Sequence, residues 1–69
     1  MPRYRVEVTG ALLDPRLRTE SALTHLFLVS ASSPGQAEVA GMQLFGGEAG
    51  RRRCVVLPGQ TVRVVADRD

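Results

Sequence analysis

The sequence offers one histidine and one cysteine as a possible base and nucleophile. His25 and Cys54 each open or precede an apolar stretch, and a thiol–imidazole pair requires only that the two side chains meet in space. No HExxH, CxxC or G-x-S-x-G motif accompanies them. A free cysteine in a folded domain is most often a small buried apolar residue. We therefore interpret Cys54 as a core thiol and His25 as a strand-end histidine, and we predict a non-enzymatic protein without catalytic residues.

The arginines are the second group with possible chemistry. All nine basic residues are arginine, and the formal net charge is +2. Three of them follow a glycine-rich stretch at residues 46–50, where backbone N–H groups can face an anion while arginines neutralise phosphates. This stretch follows the predicted helix, however, and so lies at the negative pole of the helix dipole. The alternative interpretation is a flexible connection whose charges keep a sheet edge soluble. The candidate contacts for phosphate or for a protein partner are Arg3, Arg5, Arg51, Arg52 and Arg53.

The acidic residues are spread singly along the chain, and no spacing forces two of them into one site. A metal centre requires three or four convergent ligands, and His25 and Cys54 with scattered carboxylates do not form a recognisable set. We therefore predict no metal site and no cofactor, and we interpret the carboxylates as solvated surface groups.

The length and composition indicate one small α+β domain spanning residues 1–69. A lone cysteine argues against a secreted disulfide scaffold and favours a reducing compartment. The N-terminus has no apolar signal-peptide core, and no stretch is long enough to cross a membrane. We therefore expect a cytoplasmic protein without a membrane partner. The joint absence of lysine, asparagine and isoleucine, whose codons are AT-rich, predicts a GC-rich bacterial or phage genome.

The central stretch, residues 25–47, predicts a buried strand that leads into a helix. Ser33 can cap the helix, Pro34 suits its first position, and Gln36 completes a capping box. Small and apolar residues then recur on one helical face, and two glycines can supply a left-handed end. The predicted helix spans residues 34–45 and lies close against a sheet. The residues predicted to face the sheet are Ala37, Ala40, Gly41, Leu44 and Phe45.

Four strands complete the predicted fold. Residues 3–8 alternate between apolar and charged side chains, which is typical of a half-buried strand that we expect to end at residues 9–10. Residues 11–24 form a leucine-rich segment, in which Asp14-Pro15 can start a turn or a single helical turn. We expect some of its leucines to fold back on the core. Residues 25–29, 54–57 and 61–66 form the other three strands, and Pro58-Gly59 favours a turn between the last two. The predicted order is β-β-α-β-β, with one helix packed on a mostly antiparallel sheet.

The distribution of apolar residues suggests a function. Residues 25–29 and 54–57 are apolar on both faces, whereas a strand with one wet face alternates. Since one helix covers one face of a sheet, the leucine-rich segment, a second copy or another protein must cover the other face. Our first hypothesis is therefore a protein–protein interaction module that forms a homo-oligomer or docks on a protein partner. The alternative is a small nucleic-acid-binding protein that uses the arginine cluster on phosphates.

Overall fold

A computed structural model describes residues 2–67 and contains four strands and one helix. The elements are β1 (Arg3–Asp14), β2 (Thr19–Ser30), α1 (Pro34–Arg51), β3 (Val55–Val56) and β4 (Thr61–Asp67). All strands belong to one antiparallel sheet, and α1 packs on one of its faces. The predicted α+β class and the β-β-α-β-β order are therefore confirmed.

Strand β1 is the centre of the sheet. It pairs with β2 along its whole length on one side, and with β4 and then β3 on the other. Because β1 is antiparallel to each of these, β2 runs parallel to β3 and β4 with β1 between them. The connection from β2 through α1 therefore crosses over β1, and β2 and β3 are not neighbours.

The long β1–β2 hairpin differs from the sequence prediction. Strand β1 does not end at residues 9–10 but continues to Asp14, and most of residues 11–24 belong to the two strands. The Asp14-Pro15 turn is confirmed, since an Asp14 carboxylate oxygen accepts hydrogen bonds from the backbone N–H groups of Arg16 at 3.0 Å and Leu17 at 3.4 Å. Arg18 completes the turn at a φ of 54°, in the left-handed region. Continuous pairing leaves no loop here that could fold back onto the sheet.

The start of the helix follows the prediction closely. The backbone N–H of Gln36 donates to Ser33 Oγ at 3.2 Å, and Pro34 takes the first position. The second half of the capping box is shifted by one residue, because Gln36 Oε1 accepts from the backbone N–H and the hydroxyl of Ser32. The Ser33 contact satisfies one of the N–H donors that the helix leaves unpaired at its start, and the Gln36 contacts satisfy donors of the residue that precedes the cap.

The end of the helix was predicted wrongly, whereas its sheet-facing side was predicted correctly except at Leu44. The helix passes through Gly46 and Gly47 and ends at Arg51, because its buried stripe continues beyond them. Four residues spaced four apart form this stripe, and Leu44 is not among them, since 46% of it is exposed. Burial of Phe45 and one further turn against the sheet outweighs a cost of roughly 1 kcal/mol per helical glycine. The stripe consists of Ala37, Gly41, Phe45 and Ala49.

Arginine rather than glycine closes the helix. Arg53 has a φ of 58°, and its N–H donates to the Gly50 carbonyl at 3.0 Å. The N–H of Cys54 donates to the Ala49 carbonyl at 2.9 Å. These two bonds form a Schellman motif with Arg53 in the left-handed position. The charged run at residues 51–53 is therefore the ordered end of a helix rather than a flexible connection.

The helix lies very close to β1, as the small residues on its face predicted. A methyl group built on Gly41 would come within 2.4 Å of Val6 Cγ1, and one built on Gly10 would come within 3.0 Å of the Phe45 ring. Val6 and Val8 are fully buried under this contact, and Tyr4 and Leu12 extend it along β1. The core is therefore a single layer between α1 and the sheet.

Candidate interaction surface

Strand β2 forms one edge of the sheet and pairs with β1 alone among the described residues. It has 12 residues and contains neither proline nor arginine, and Glu20 is its only carboxylate. The opposite edge is broken between β3 and β4 at residues 57–60, and Arg63 and Asp67 add charges to it. Short strands, breaks and charges are the usual protection of an edge against pairing. The β2 edge is long and unbroken, and Glu20 is its one formal charge.

The face of the sheet turned away from α1 is exposed, and its largest apolar side chains lie on β2. Leu26 is 53% exposed and Leu28 is 61% exposed. Their neighbours Phe27 and Val29 point toward the helix side and pack in or against the core. Residues 25–29 were predicted to be a buried strand, but the outer face of this strand is exposed. The leucine-rich segment does not cover that face because the segment belongs to the sheet.

The centre of this open face is polar. A shallow depression of about 310 Å³ lies between Arg5, Glu7, Arg63 and two apolar residues, Leu26 and Val65. Arg5 Nε donates to an Asp67 carboxylate oxygen at 3.1 Å across the strand pair. The apolar part of the face therefore consists of Leu26 and Leu28 next to the unpaired edge, and of the smaller exposed side chains of Val55 and Val65 on the other side of β1.

The helix side of β2 is also incompletely covered. Leu23, His25 and Phe27 point toward the α1 face of the sheet, yet each is only half-buried. The rings of His25 and Phe27 stack with their centroids 4.4 Å apart. His25 Nδ1 is buried and makes no hydrogen bond with the described residues. Both faces of β2 thus present apolar surface at the edge of the molecule.

His25 and Cys54 are far apart. His25 lies opposite Val8 on one side of β1, whereas Cys54 precedes Val55, which lies opposite Leu13 on the other side. Five residues along a strand and two strand spacings across it separate them by roughly 20 Å. The Cys54 Sγ instead donates to the Arg52 carbonyl at 3.4 Å, at the end of the helix. The two residues therefore do not form a nucleophile–base pair.

The five candidate arginines fall into two groups at opposite ends of β1. Arg3 and Arg5 lie at its start and form ion pairs with Asp67 at 3.5 and 3.1 Å. The run at residues 51–53 immediately precedes β3, which pairs with Leu12 and Leu13. Eight strand residues separate the groups, a distance of roughly 25 Å. The structure does not bring them into one patch.

The second group has neighbours that the sequence pattern did not single out. Arg16 and Arg18 lie in the β1–β2 turn, at the same end of β1 as residues 51–53. Carboxylates offset part of this charge, because Glu48 pairs with Arg51 and Arg52 at 3.6 and 3.5 Å, and Asp14 pairs with Arg16 at 3.4 Å. The β1–β2 turn and residues 51–53 are distant in sequence, and only the antiparallel pairing of β1 with β3 shows that they lie at the same end of β1.

Among residues 2–67, no group of three histidine, cysteine or acidic side chains comes together in a way that could hold a metal ion. In the same part of the chain, no helix combines the length and apolar character needed to span a membrane.

Comparison with known proteins identified no relative of this chain. No family model, curated protein or solved structure matches the chain.

Proposed function

We propose that the protein is a non-enzymatic interaction module that binds a protein partner, either a second copy or another chain, through strand β2. The observation that carries this proposal is a long unprotected edge strand with two exposed leucines beside the edge. An unpaired strand edge supplies a row of backbone donors and acceptors, and adjacent side chains supply apolar contact.

The surface combines two kinds of binding energy. Backbone hydrogen bonds from an added strand fix the direction and register of a partner, while burial of Leu26 and Leu28 contributes roughly 25 cal/mol per Å² of apolar area. The half-buried side chains on the helix side of β2 can become fully buried when the same partner strand binds. The partner then occupies the edge and both flanks of one strand.

Charge substitution on β2 tests the proposal. Lysine at Leu26 and Leu28 should leave the fold intact, because both side chains are exposed in the monomer. We expect the parent either to associate in light scattering at micromolar protein or, as a monomer, to bind the dye ANS, and we expect the double variant to do neither. Leu17→Lys is the matched control, since Leu17 is 69% exposed in the β1–β2 turn, away from the β2 leucines. A parent protein that is strictly monomeric and binds no ANS would contradict the proposal.

The arginines at the turn end of β1 support a second candidate function, binding of nucleic acid through phosphates. Arg16 and Arg18 join residues 51–53 there, and Arg18 and Arg53 have no carboxylate partner among the described residues. Such binding should be sequence-independent and should weaken steeply as salt rises. Fluorescence anisotropy with a labelled duplex and a labelled single strand at low ionic strength measures it.

The Arg18→Ala/Arg53→Ala double variant should lose this affinity, and Arg63→Ala should keep it because Arg63 lies on the open sheet face. The absence of a signal with both nucleic acids would rule out the second candidate.

A further inference from the structure

We infer that the occupant of the β2 edge is a second copy of this chain, paired antiparallel over residues 20–30 about a twofold axis at His25. This inference rests on the proposed function and specifies its partner. In this arrangement the two sheets form one continuous sheet, and the two helices lie side by side on the same face.

The charges on the open face favour edge pairing over stacking of two sheets. Face-to-face packing of two copies would bury Arg5, Glu7 and Arg63, which line the middle of that face. Removing such ions from water carries a large penalty unless each finds a well-placed partner. Edge pairing leaves these charges in water and contacts only β2, where Glu20 is the one carboxylate.

Complementarity of the strand with itself selects the register. Directly opposed residues in an antiparallel pair share a face, so a twofold axis must pass through a residue position. Axes at Thr24 and His25 both allow 11 residues of overlap within the strand. The axis at Thr24 would set Glu20 against the exposed Leu28 of the second copy, which opposes a charge to an apolar side chain.

The axis at His25 gives matched pairs. Glu20 then faces Ser30 of the second copy, and Ser30 is the cross-strand neighbour of Arg3. Because the serine side chain is small, the negative Glu20 carboxylate lies next to the positive Arg3 of the second copy. On the helix side, the half-buried Leu23 faces Phe27 of the second copy, an aromatic–aliphatic pair of the kind that stabilises sheets.

The available area agrees with a stable dimer. Eleven extended residues span roughly 36 Å, and the molecule is 17–18 Å across in its two short dimensions. The edge therefore has a side profile of about 600 Å² per copy, which is the most that edge pairing can bury there and which corresponds to the lower limit of about 1,200 Å² in total for specific interfaces. Apolar side chains on both flanks of the strand fall within this area.

Cysteine cross-linking of mixed variants tests the register. In a Cys54→Ser background, Ala22→Cys and Leu28→Cys should form a disulfide between copies, because the pairing opposes these positions with Cβ atoms about 5 Å apart. Neither variant should cross-link with itself, since like positions lie about 20 Å apart. Ala22→Cys mixed with Leu26→Cys is the control, because the axis at Thr24 would oppose those positions instead. All three positions are exposed, so folding should be retained.

Preferential cross-linking of the Ala22→Cys and Leu28→Cys mixture in a dimeric protein is the expected result. A dimer that cross-links best through Ala22→Cys and Leu26→Cys would overturn the inference and leave the proposed function standing. A dimer that cross-links through no β2 pair would overturn both, because its interface would lie away from β2. A monomer that still binds ANS at β2 would also overturn the inference, because the partner would then be another protein. A monomer without ANS binding would overturn the inference and the proposed function together.

Discussion

At the scale of single residues, the core depends on one position in the helix that is easily confused with its neighbour. Leu44 and Phe45 are both large and apolar, and the sequence spacing admits either as the residue that contacts the sheet. The structure buries Phe45 completely and leaves Leu44 half in solvent. The stripe of small residues every fourth position, which includes Ala49, identifies the correct phase once the helix is known to extend past residue 45.

Alanine substitutions at these two positions should therefore differ sharply. Phe45→Ala empties a fully buried site and should lower the free energy of unfolding by about 3–5 kcal/mol. Leu44→Ala removes an exposed side chain and should change it by only about 0.5 kcal/mol. Urea denaturation of both variants and the parent measures the difference. Equal losses, or a larger loss for Leu44→Ala, would show that the assigned helix phase is wrong.

Asp14 predicts a pH dependence of the β1–β2 turn. Partial burial alone would raise the pKa of its carboxyl, but hydrogen bonds from the Arg16 side chain and from the backbone of Arg16 and Leu17, with the Arg16 charge, hold the pKa below its ordinary value. A lowered folded-state pKa stabilises the protein above the unfolded carboxyl pKa of about 4, and this contribution is lost as pH falls through the folded value.

The difference in melting temperature between the parent and Asp14→Ala should therefore be largest at neutral pH and should shrink in strong acid. Asp14→Asn keeps an acceptor for the turn and removes the titration, so its melting temperature relative to Asp14→Ala should not depend on pH. A parent-to-alanine difference that is the same at both ends of the pH range would contradict the role of the charged carboxylate.

At the scale of elements, local signals located the helix start and the Asp14-Pro15 turn, because a cap or turn depends on a few adjacent residues. They failed at the helix end, where Gly46 and Gly47 resemble a stop signal but tertiary contacts continue the helix. They also failed along the β1–β2 hairpin, because Gly10 interrupts the strand pattern while its bare Cα accommodates the Phe45 ring. Gly10 therefore has a packing role, whereas Gly46 and Gly47 are exposed and the helix continues through them because their neighbours are buried.

Substitution of the helical glycines separates these roles. A methyl group on Gly47 meets no atom within 4 Å, so Gly47→Ala should stabilise the helix by about 1 kcal/mol. Gly41→Ala adds the same methyl group against Val6 and should instead destabilise the protein, typically by about 1–3 kcal/mol. Chemical denaturation of the two variants measures opposite shifts in midpoint. A destabilising Gly47→Ala would indicate that the helix does not continue through this position.

At the scale of the whole molecule, the sequence predicted the surplus of apolar surface but not its location. Residues 25–29 already indicated a strand buried on both sides, and the structure places them on an edge strand with Leu26 and Leu28 exposed. Strand order decides this outcome, and no local pattern encodes strand order. The same applies to the arginines, which the pairing of β1 separates into two distant groups.

Amide hydrogen exchange on β2, followed by NMR over a range of protein concentrations, tests the central claim most directly. In an isolated molecule every second amide of β2 points away from β1 and should exchange rapidly. If β2 binds a second copy, protection of these amides should rise with concentration while protection in β4 stays constant. Exchange in β2 that is independent of concentration in an associating sample, or new protection confined to β4, would contradict the assignment of β2 as the binding edge.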